Sequence, residues 1–366
     1  MNQLTRSQHP NPIKPVSLVT LCLSVAAGLL LLIVPRAAAG FETQEPVTGQ
    51  WIIDRSGDPG MIQVTLEHSG PGGSHFSWST SDIALTEFRG LTPEMMNSSG
   101  APVKFDLVRE AGTLHCEGWF KEGNGSGHFT FLPDAGFVSR MGSLGYQDIS
   151  AEDLFHLALH DVTLEFVREF DSLGYHHPEL HDLVALRIHK VTPEFVRGLK
   201  DRGYSEVPLR SLIAMNIHRV SLEFIDQLKQ LGYAQVPVED LLAMRIHSVT
   251  PDFIKALQDS GYSHPDPRGL VSARIHDVQA DTIKELAGLG YTGLPMSDLV
   301  RMRIHDVDTQ FIKDLKGVGY VKVTVSDLVN LRIHGVTAAY VQKMKDKGFN
   351  NLTVRQLVRL RISGID

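Results

Sequence analysis

The chain has 366 residues, 35 Lys and Arg against 42 Asp and Glu, a formal net charge of −7 and 42% apolar residues. The acidic balance argues against a general nucleic-acid binder, and the apolar fraction is enough to build two hydrophobic cores. With only Cys22 and Cys116 present, a disulfide-stapled fold is excluded.

Residues 1–15 are polar and carry Arg6 and Lys14. From Val16 to Val34 the chain runs for 19 residues without a charge. The length suits a single membrane anchor. The small residues Ala37 and Ala39 suit a cleaved signal segment, cut after Ala39. Either way the leading positive charges keep the N-terminus in the cytoplasm. Everything after a linker at 35–46 is then expected outside it. Cys116 is the only cysteine beyond the apolar run, so no intrachain disulfide is expected there.

Residues 47–140 read as a small β-rich domain. "GQWIID", "MIQVTLEHS", "SHFSWST", "VKFDLVRE", "TLHCEGWFKE" and "GHFTFLP" are strand-like runs punctuated by Gly, Pro, Ser and Asn. They predict a compact antiparallel sheet or a small barrel. "LTPEMM" predicts one helical turn, and "GNGSG" (Gly123–Gly127) a hairpin turn. All three tryptophans, Trp51, Trp78 and Trp119, lie here. A ligand site in this domain requires a cavity lined by them, with core packing as the plainer role.

Residues 145–366 repeat with a period of 29. The glycine of "GY" falls at Gly145, Gly174, Gly203, Gly232, Gly261, Gly290, Gly319 and Gly348. The histidine of "IH" falls at His160, His189, His218, His247, His276, His305 and His334, with Ser363 next. Two markers in one unbroken register specify about eight structural repeats. Each unit reads as two short helices. The first, as in "ELHDLVALRIH", puts Leu180, Leu183, Val184, Leu186 and Ile188 on an amphipathic helix. The second, "KVTPEFVRGLKDRGY", opens with Thr192 as N-cap, Pro193 as first residue and acidic Glu194. Val191 and Val196 form a hydrophobic staple. The pair recurs as apolar residues in every unit, and at the cap only Gln279 departs from a good capping residue. Each "GY" glycine suits a left-handed helix end, with the tyrosine packing back on its helix. Such helices are too short to stand alone, so stacked units in an α-solenoid are the expected fold. "RISGID" marks an end unit that differs from the rest.

The repeated histidines raise a metal array as the sharp reading. Packed helices stand ~8–10 Å apart, while Zn–N bonds are ~2 Å, so consecutive repeat histidines do not share an ion unaided. The plainer reading puts them at helix C-termini, bonding exposed carbonyls and complementing the dipole. Arg187, Arg245, Arg274, Arg303, Arg332 and Arg361 lie two residues before that position, with Ala158 and Asn216 breaking the column. They either support the helix ends too or form a stripe for a partner. "HHPELH" (His176–His181) is not HExxH, because Pro178 stands where the glutamate belongs. The pairs His160–Asp161, His276–Asp277 and His305–Asp306 read as solvated turns, since adjacent residues on a helix do not face one another. No catalytic group, metal or cofactor is expected.

The text "LRIHxVTPEFVxxLxxxGY" resembles the C-terminal repeats appended to some bacterial membrane metallopeptidases of the beta-lactam-sensor type. The resemblance covers about 145–366. It implies the two-helix repeat fold and a bacterial envelope context. It carries no peptidase activity, since this chain has no HExxH and one apolar span. The whole is expected to be an α+β multidomain protein. An N-terminal anchor or signal segment is followed by a small β domain and an α-solenoid, in an inner-membrane or periplasmic protein that binds a protein or peptide. A sensor whose β domain takes a small ligand is the alternative.

Overall fold

The computed structural model describes residues 46–55, 60–70, 75–262 and 264–365. The polar leader, the run Val16–Val34 and nearly all of the linker lie outside the described residues. Among the described residues no helix is long and apolar enough to cross a membrane.

The strand-like runs form one antiparallel sheet. Its strands are β1 (Val47–Arg55), β2 (Met61–Ser69), β3 (His75–Ala84), β4 (Phe88–Arg89), β5 (Ser99–Arg109), β6 (Gly112–Lys121) and β7 (Asn124–Pro133). They lie in the order β3-β2-β1-β7-β6-β5-β4. Two meanders therefore join where β7 pairs with β1. Among the described residues β3 and β4 are its edges, so the sheet is open. Period-two alternation assigns the faces. Trp51, Ile53, Val64, Leu66, Leu114, Cys116, Phe129 and Phe131 are buried, while their neighbours Ile52, Trp119 and Leu132 are exposed. A short helix, α1 (Pro93–Met96), is capped by Thr92 as expected.

Around Trp51 the sheet is shaped by glycine. Gly118 on β6 faces Gly127 on β7, and the indole lies against them. Its N–H donates to the carbonyls of Glu117 (3.2 Å) and His128 (3.1 Å). The expected turn at Gly123–Gly127 is displaced toward the N-terminus. Glu122 and Gly123 make it, at φ 53° and 91°, as a two-residue hairpin of the mirror-image type demands. Gly125 and Gly127 belong to β7 instead, where the absence of a Cβ lets Phe120 and the β6 backbone close in.

Helices of nine residues follow in two rows. The first-helix row comprises α3 (Ala151–Leu159), α5 (Leu180–Ile188), α7 (Leu209–Ile217), α9 (Val238–Ile246), α11 (Pro267–Ile275), α13 (Met296–Ile304), α15 (Val325–Ile333) and α17 (Val354–Ile362). The second-helix row comprises α2 (Ala135–Ser143), α4 (Leu164–Ser172), α6 (Pro193–Asp201), α8 (Leu222–Gln230), α10 (Pro251–Asp259), α12 (Ala280–Gly288), α14 (Thr309–Gly317) and α16 (Ala338–Asp346). Each helix touches its equivalents one repeat away. The domain boundary expected at 140–145 moves to 134. Helix α2 is a second helix of the array, with Asp134 capping it 29 residues before the Thr163 cap of α4. Gly136 and Gly142 weaken its helical signal in the sequence.

Local chemistry explains the shared helix length. Thr163, Thr192, Ser221, Thr250, Asp308 and Thr337 each accept the N–H three residues on, while Gln279 makes no such bond. Both helices of a unit end in the left-handed turn that returns two N–H groups to the last carbonyls. After the second helix the turn is the "GY" glycine, as expected, at φ 88° for Gly174. After the first it is the residue following histidine: Asp161, Lys190, Arg219, Ser248, Asp277 and Asp306 all stand at φ 52–57°, and Gly335 at 64°. The His–Asp pairs are thus helix ends. The next residue is a buried valine in the first seven units (Val162, Val191, Val220, Val249, Val278, Val307, Val336). It closes this turn, with Val162 N–H on Leu157 O at 2.8 Å, and it also staples the following helix.

The tyrosines tie units together. The ring packs back on its own helix, with Phe170 and Tyr175 6.0 Å apart. The hydroxyl reaches forward to the carbonyl 32 residues on: Tyr146 to Pro178 (2.9 Å), Tyr175 to Val207 (2.7 Å), Tyr204 to Val236 (2.9 Å), Tyr233 to Pro265 (2.7 Å) and Tyr291 to Val323 (2.7 Å). Tyr262 and Tyr320 do the same to Leu294 and Leu352. Burial pushes the Tyr146 and Tyr233 hydroxyls up to about 12. Tyr233→Phe should therefore lower stability by about 1–2 kcal/mol, because a buried carbonyl loses its donor. Urea denaturation followed by circular dichroism measures it, and an unchanged midpoint would refute the forward bond.

Candidate functional site

The arginine column, read from the sequence either as helix-end support or as a stripe for a partner, is engaged within the stack. Arg187 donates from Nε to His160 O (3.1 Å), pairs with Asp161 (3.0 Å) and lies over Phe166 (5.3 Å). Arg245 donates to His218 O (3.4 Å) over Phe224 (5.0 Å), and Arg274 covers Phe253 (4.9 Å). Arg303 donates to His276 O (3.3 Å) and pairs with Asp277 (3.1 Å). Arg332 donates to Asp306 O (2.7 Å) over Phe311 (4.5 Å). Asn216, which interrupts the column, makes the same bond to His189 O (3.1 Å). Arg187, Asn216, Arg245, Arg303 and Arg332 thus close the end of the preceding unit's first helix, and five rings, Tyr340 under Arg361 included, sit beneath guanidinium groups.

His160, His189, His218, His247, His276, His305 and His334 are the C-cap residues of α3 through α15. The backbone carbonyls of His160, His218 and His276 accept arginines, and that of His189 accepts Asn216. The "HHPELH" histidines part company: His176 lies 2.9 Å from Asp171, His177 stacks on Tyr146 (4.2 Å) and His181 lies 3.3 Å from Asp182. Among the described residues no group of three His, Cys, Asp or Glu is arranged to hold a metal ion.

The tryptophans line no ligand chamber. Trp51 and Trp78 border a space of about 10 Å³ with Phe105, Leu107, Leu114 and Cys116, barely the volume one water centre needs. Burial pushes the Cys116 thiol up to about 12, so it stays protonated. Trp119 is exposed on the opposite face.

The surface that the sequence reading missed is a row of isoleucines. Ile188, Ile217, Ile246, Ile275, Ile304, Ile333 and Ile362 end the first helices of seven successive units, and each is half-exposed, from 48% at Ile188 to 64% at Ile362. Ile188 was expected on the apolar core face. At 100° per residue it points roughly 170° away from Leu183 and Leu186, which are fully buried. The first helices therefore have two apolar sides. With helices ~8–10 Å apart, the row extends roughly 50–60 Å. Fully burying each isoleucine is worth about 1.5–3 kcal/mol, of which about half is unrealised here.

In the first unit this same face is covered. Leu159, equivalent to Ile188, is 5% exposed, because α3 packs across β1, β6 and β7. Phe155 stacks on Phe129 (5.6 Å) and meets Phe131, Phe76 and His68 edge-on. His160 sits edge-on to Trp78 at 6.1 Å, and His68 lies 2.9 Å from Glu152. What covers this face where it is covered is an aromatic protein surface.

Burial, with His156 and Arg187 nearby, holds His160 down to about 4. Burial also lowers His156, against the opposing pull of Glu152 and Asp153. Between the ordinary histidine range and pH 4 the unfolded chain takes up these protons and the folded chain does not. The stabilisation is fully present above about pH 6.5 and is lost as pH falls toward 4. Denaturation midpoints at pH 7.5, 5.5 and 4.5 should fall in that order, with a shallower fall in His160→Asn. A steeper fall in that variant would refute the assignment.

No protein-family model matches the chain, and no curated protein matches it either.

Proposed function

We propose that this chain is a non-enzymatic, envelope-exposed protein-binding protein whose contact surface is the isoleucine row. The observation that carries the reading is a row of half-exposed isoleucines on seven successive units whose counterpart in the first unit is buried where the helix packs on an aromatic sheet face. Exposed apolar area on this scale marks interaction sites. The repeat arginines are engaged with helix-end carbonyls and rings of the preceding unit, so partner binding falls to Ile188–Ile362 and not to Arg187, Arg245, Arg274, Arg303 or Arg332. Export or anchoring through Val16–Val34 and a bacterial inner-membrane or periplasmic location belong to the same proposal, as the sequence resemblance implies.

A photo-cross-linking residue placed at Ile246 in the full chain, in cells, tests it. The control is the same residue at exposed Lys313 on α14. A discrete protein adduct from position 246 and none from 313 is the expected result. No adduct from 246, or the same adducts from both, would overturn the proposal.

A further inference from the structure

The row also indicates its occupant, an inference that rests on reading it as a contact surface. One isoleucine recurs every 29 residues from Ile188 to Ile362. Apolar side chains at ~8–10 Å intervals over seven helices are matched along their length by a partner with the same interval, and a second copy of the chain has it by construction. The row is bounded at Leu159, where the sheet covers it. A copy running antiparallel keeps the two sheets at opposite ends.

Neighbouring side chains supply the register. The residue three before each isoleucine lies beside it on the helix surface. In order these are Ala185, Ala214, Ala243, Ser272, Arg301, Asn330 and Arg359. They are small through Ser272 and larger after it. Antiparallel pairing about Ile275 sets Ala185 against Arg359, Ala214 against Asn330 and Ala243 against Arg301, smaller against larger at each step. One turn before these residues stand Asp182, Ser211, Asp240, Gly269, Asp298, Asp327 and Gln356. The pairing sets Asp182 against Gln356, beside Arg359, and Asp240 against Asp298, each already paired within its own copy. Asp240 already meets Arg268 (3.4 Å) and Arg301 meets Asp298 (3.0 Å), so the new attraction is greatest between Arg359 and Asp182.

We propose that two copies associate antiparallel through their isoleucine rows, with Ile275 on the twofold axis. Ile188 then meets Ile362, Ile217 meets Ile333 and Ile246 meets Ile304 of the other copy. The isoleucines alone offer on the order of 600 Å² per copy, close to the ~800 Å² per partner of a standard interface, and a self-complementary patch is what a twofold dimer requires.

The test uses the full chain in detergent with Cys22→Ser, so that buried Cys116 is the one native thiol left. Sedimentation should give a dimer, and Ile275→Asp should weaken it at least tenfold with unchanged helical circular dichroism. Ile275→Cys alone should cross-link to itself with a short bismaleimide. Ile217→Cys and Ile333→Cys should cross-link when mixed and not separately. A monomer at every loading concentration, a dimer indifferent to Ile275→Asp, or cross-links that ignore this register would overturn the proposal. If the chain is monomeric while position 246 still captures another protein in cells, the second copy is wrong and the contact surface stands. Loss of both results removes both.

Discussion

Phe155→Ala is expected to lower stability by about 3–5 kcal/mol, the range for emptying the site of a fully buried aromatic. The ring is 0% exposed and stands among Phe76, Phe129, Phe131 and His68. It is the point at which the helical array and the sheet share one core. The informative comparison is Val184→Ala, at the equivalent position one repeat on. Val184 is partly buried and packs against the core from the side that carries the isoleucine row. Its loss should be about 1 kcal/mol, within the range for removing small apolar groups. Urea denaturation of both variants, followed by circular dichroism, reads the difference. Equal losses would mean that the sheet does not cover the first unit in the way that defines the row.

Gly127→Ala should be as damaging by a different route. A Cβ there would lie 2.0 Å from the Glu117 carbonyl and 2.7 Å from the Gly118 Cα. Both are backbone atoms, so no side chain can turn aside and β6 must separate from β7. That movement displaces the Glu117 carbonyl, which with that of His128 accepts the Trp51 N–H. A loss of about 4 kcal/mol or more is expected, in the class of overpacking joined to a broken buried hydrogen bond. In a Trp78→Phe, Trp119→Phe background, the emission of buried Trp51 should shift to the red. Gly60→Ala is the control. Gly60 has a positive φ, at 81°, but a Cβ there meets nothing within 4 Å, so only backbone strain of about 1 kcal/mol is added. If Gly127→Ala and Gly60→Ala lose the same stability, the slot beneath Trp51 is not what the glycines provide.

Much of the helical array was legible because it is written in short-range chemistry. A hydroxyl or carboxylate capping the N–H three residues on, a staple spanning five residues and a left-handed glycine after nine helical ones are contacts within a single turn or two. They can be read directly from text such as "VTPEFVRGLKDRGY". The second left-handed site escaped notice since Asp161, Lys190, Arg219 and Ser248 share no residue type. Only their common position, which Gly335 and Gly364 also occupy, carried the signal. Helix α2 escaped notice since two glycines and an aspartate cap dilute the repeat text.

By itself the sequence determined the 29-residue period, the nine-residue helices that the caps delimit, and a strand-rich domain ahead of them. The tertiary structure alone decided the strand order, the 32-residue reach of the tyrosine hydroxyls, the closure of most first helices by an arginine or asparagine of the next unit, and which apolar side of the first helices is buried. The physical reason is range. Capping and helix closure are settled by neighbours along the chain. Whether Leu183 or Ile188 is buried depends on which surface arrives from elsewhere, and one helix bears apolar residues on both sides. In the first unit the sheet arrives and Leu159 is covered. In the units after it nothing among the described residues does, and the isoleucines remain exposed.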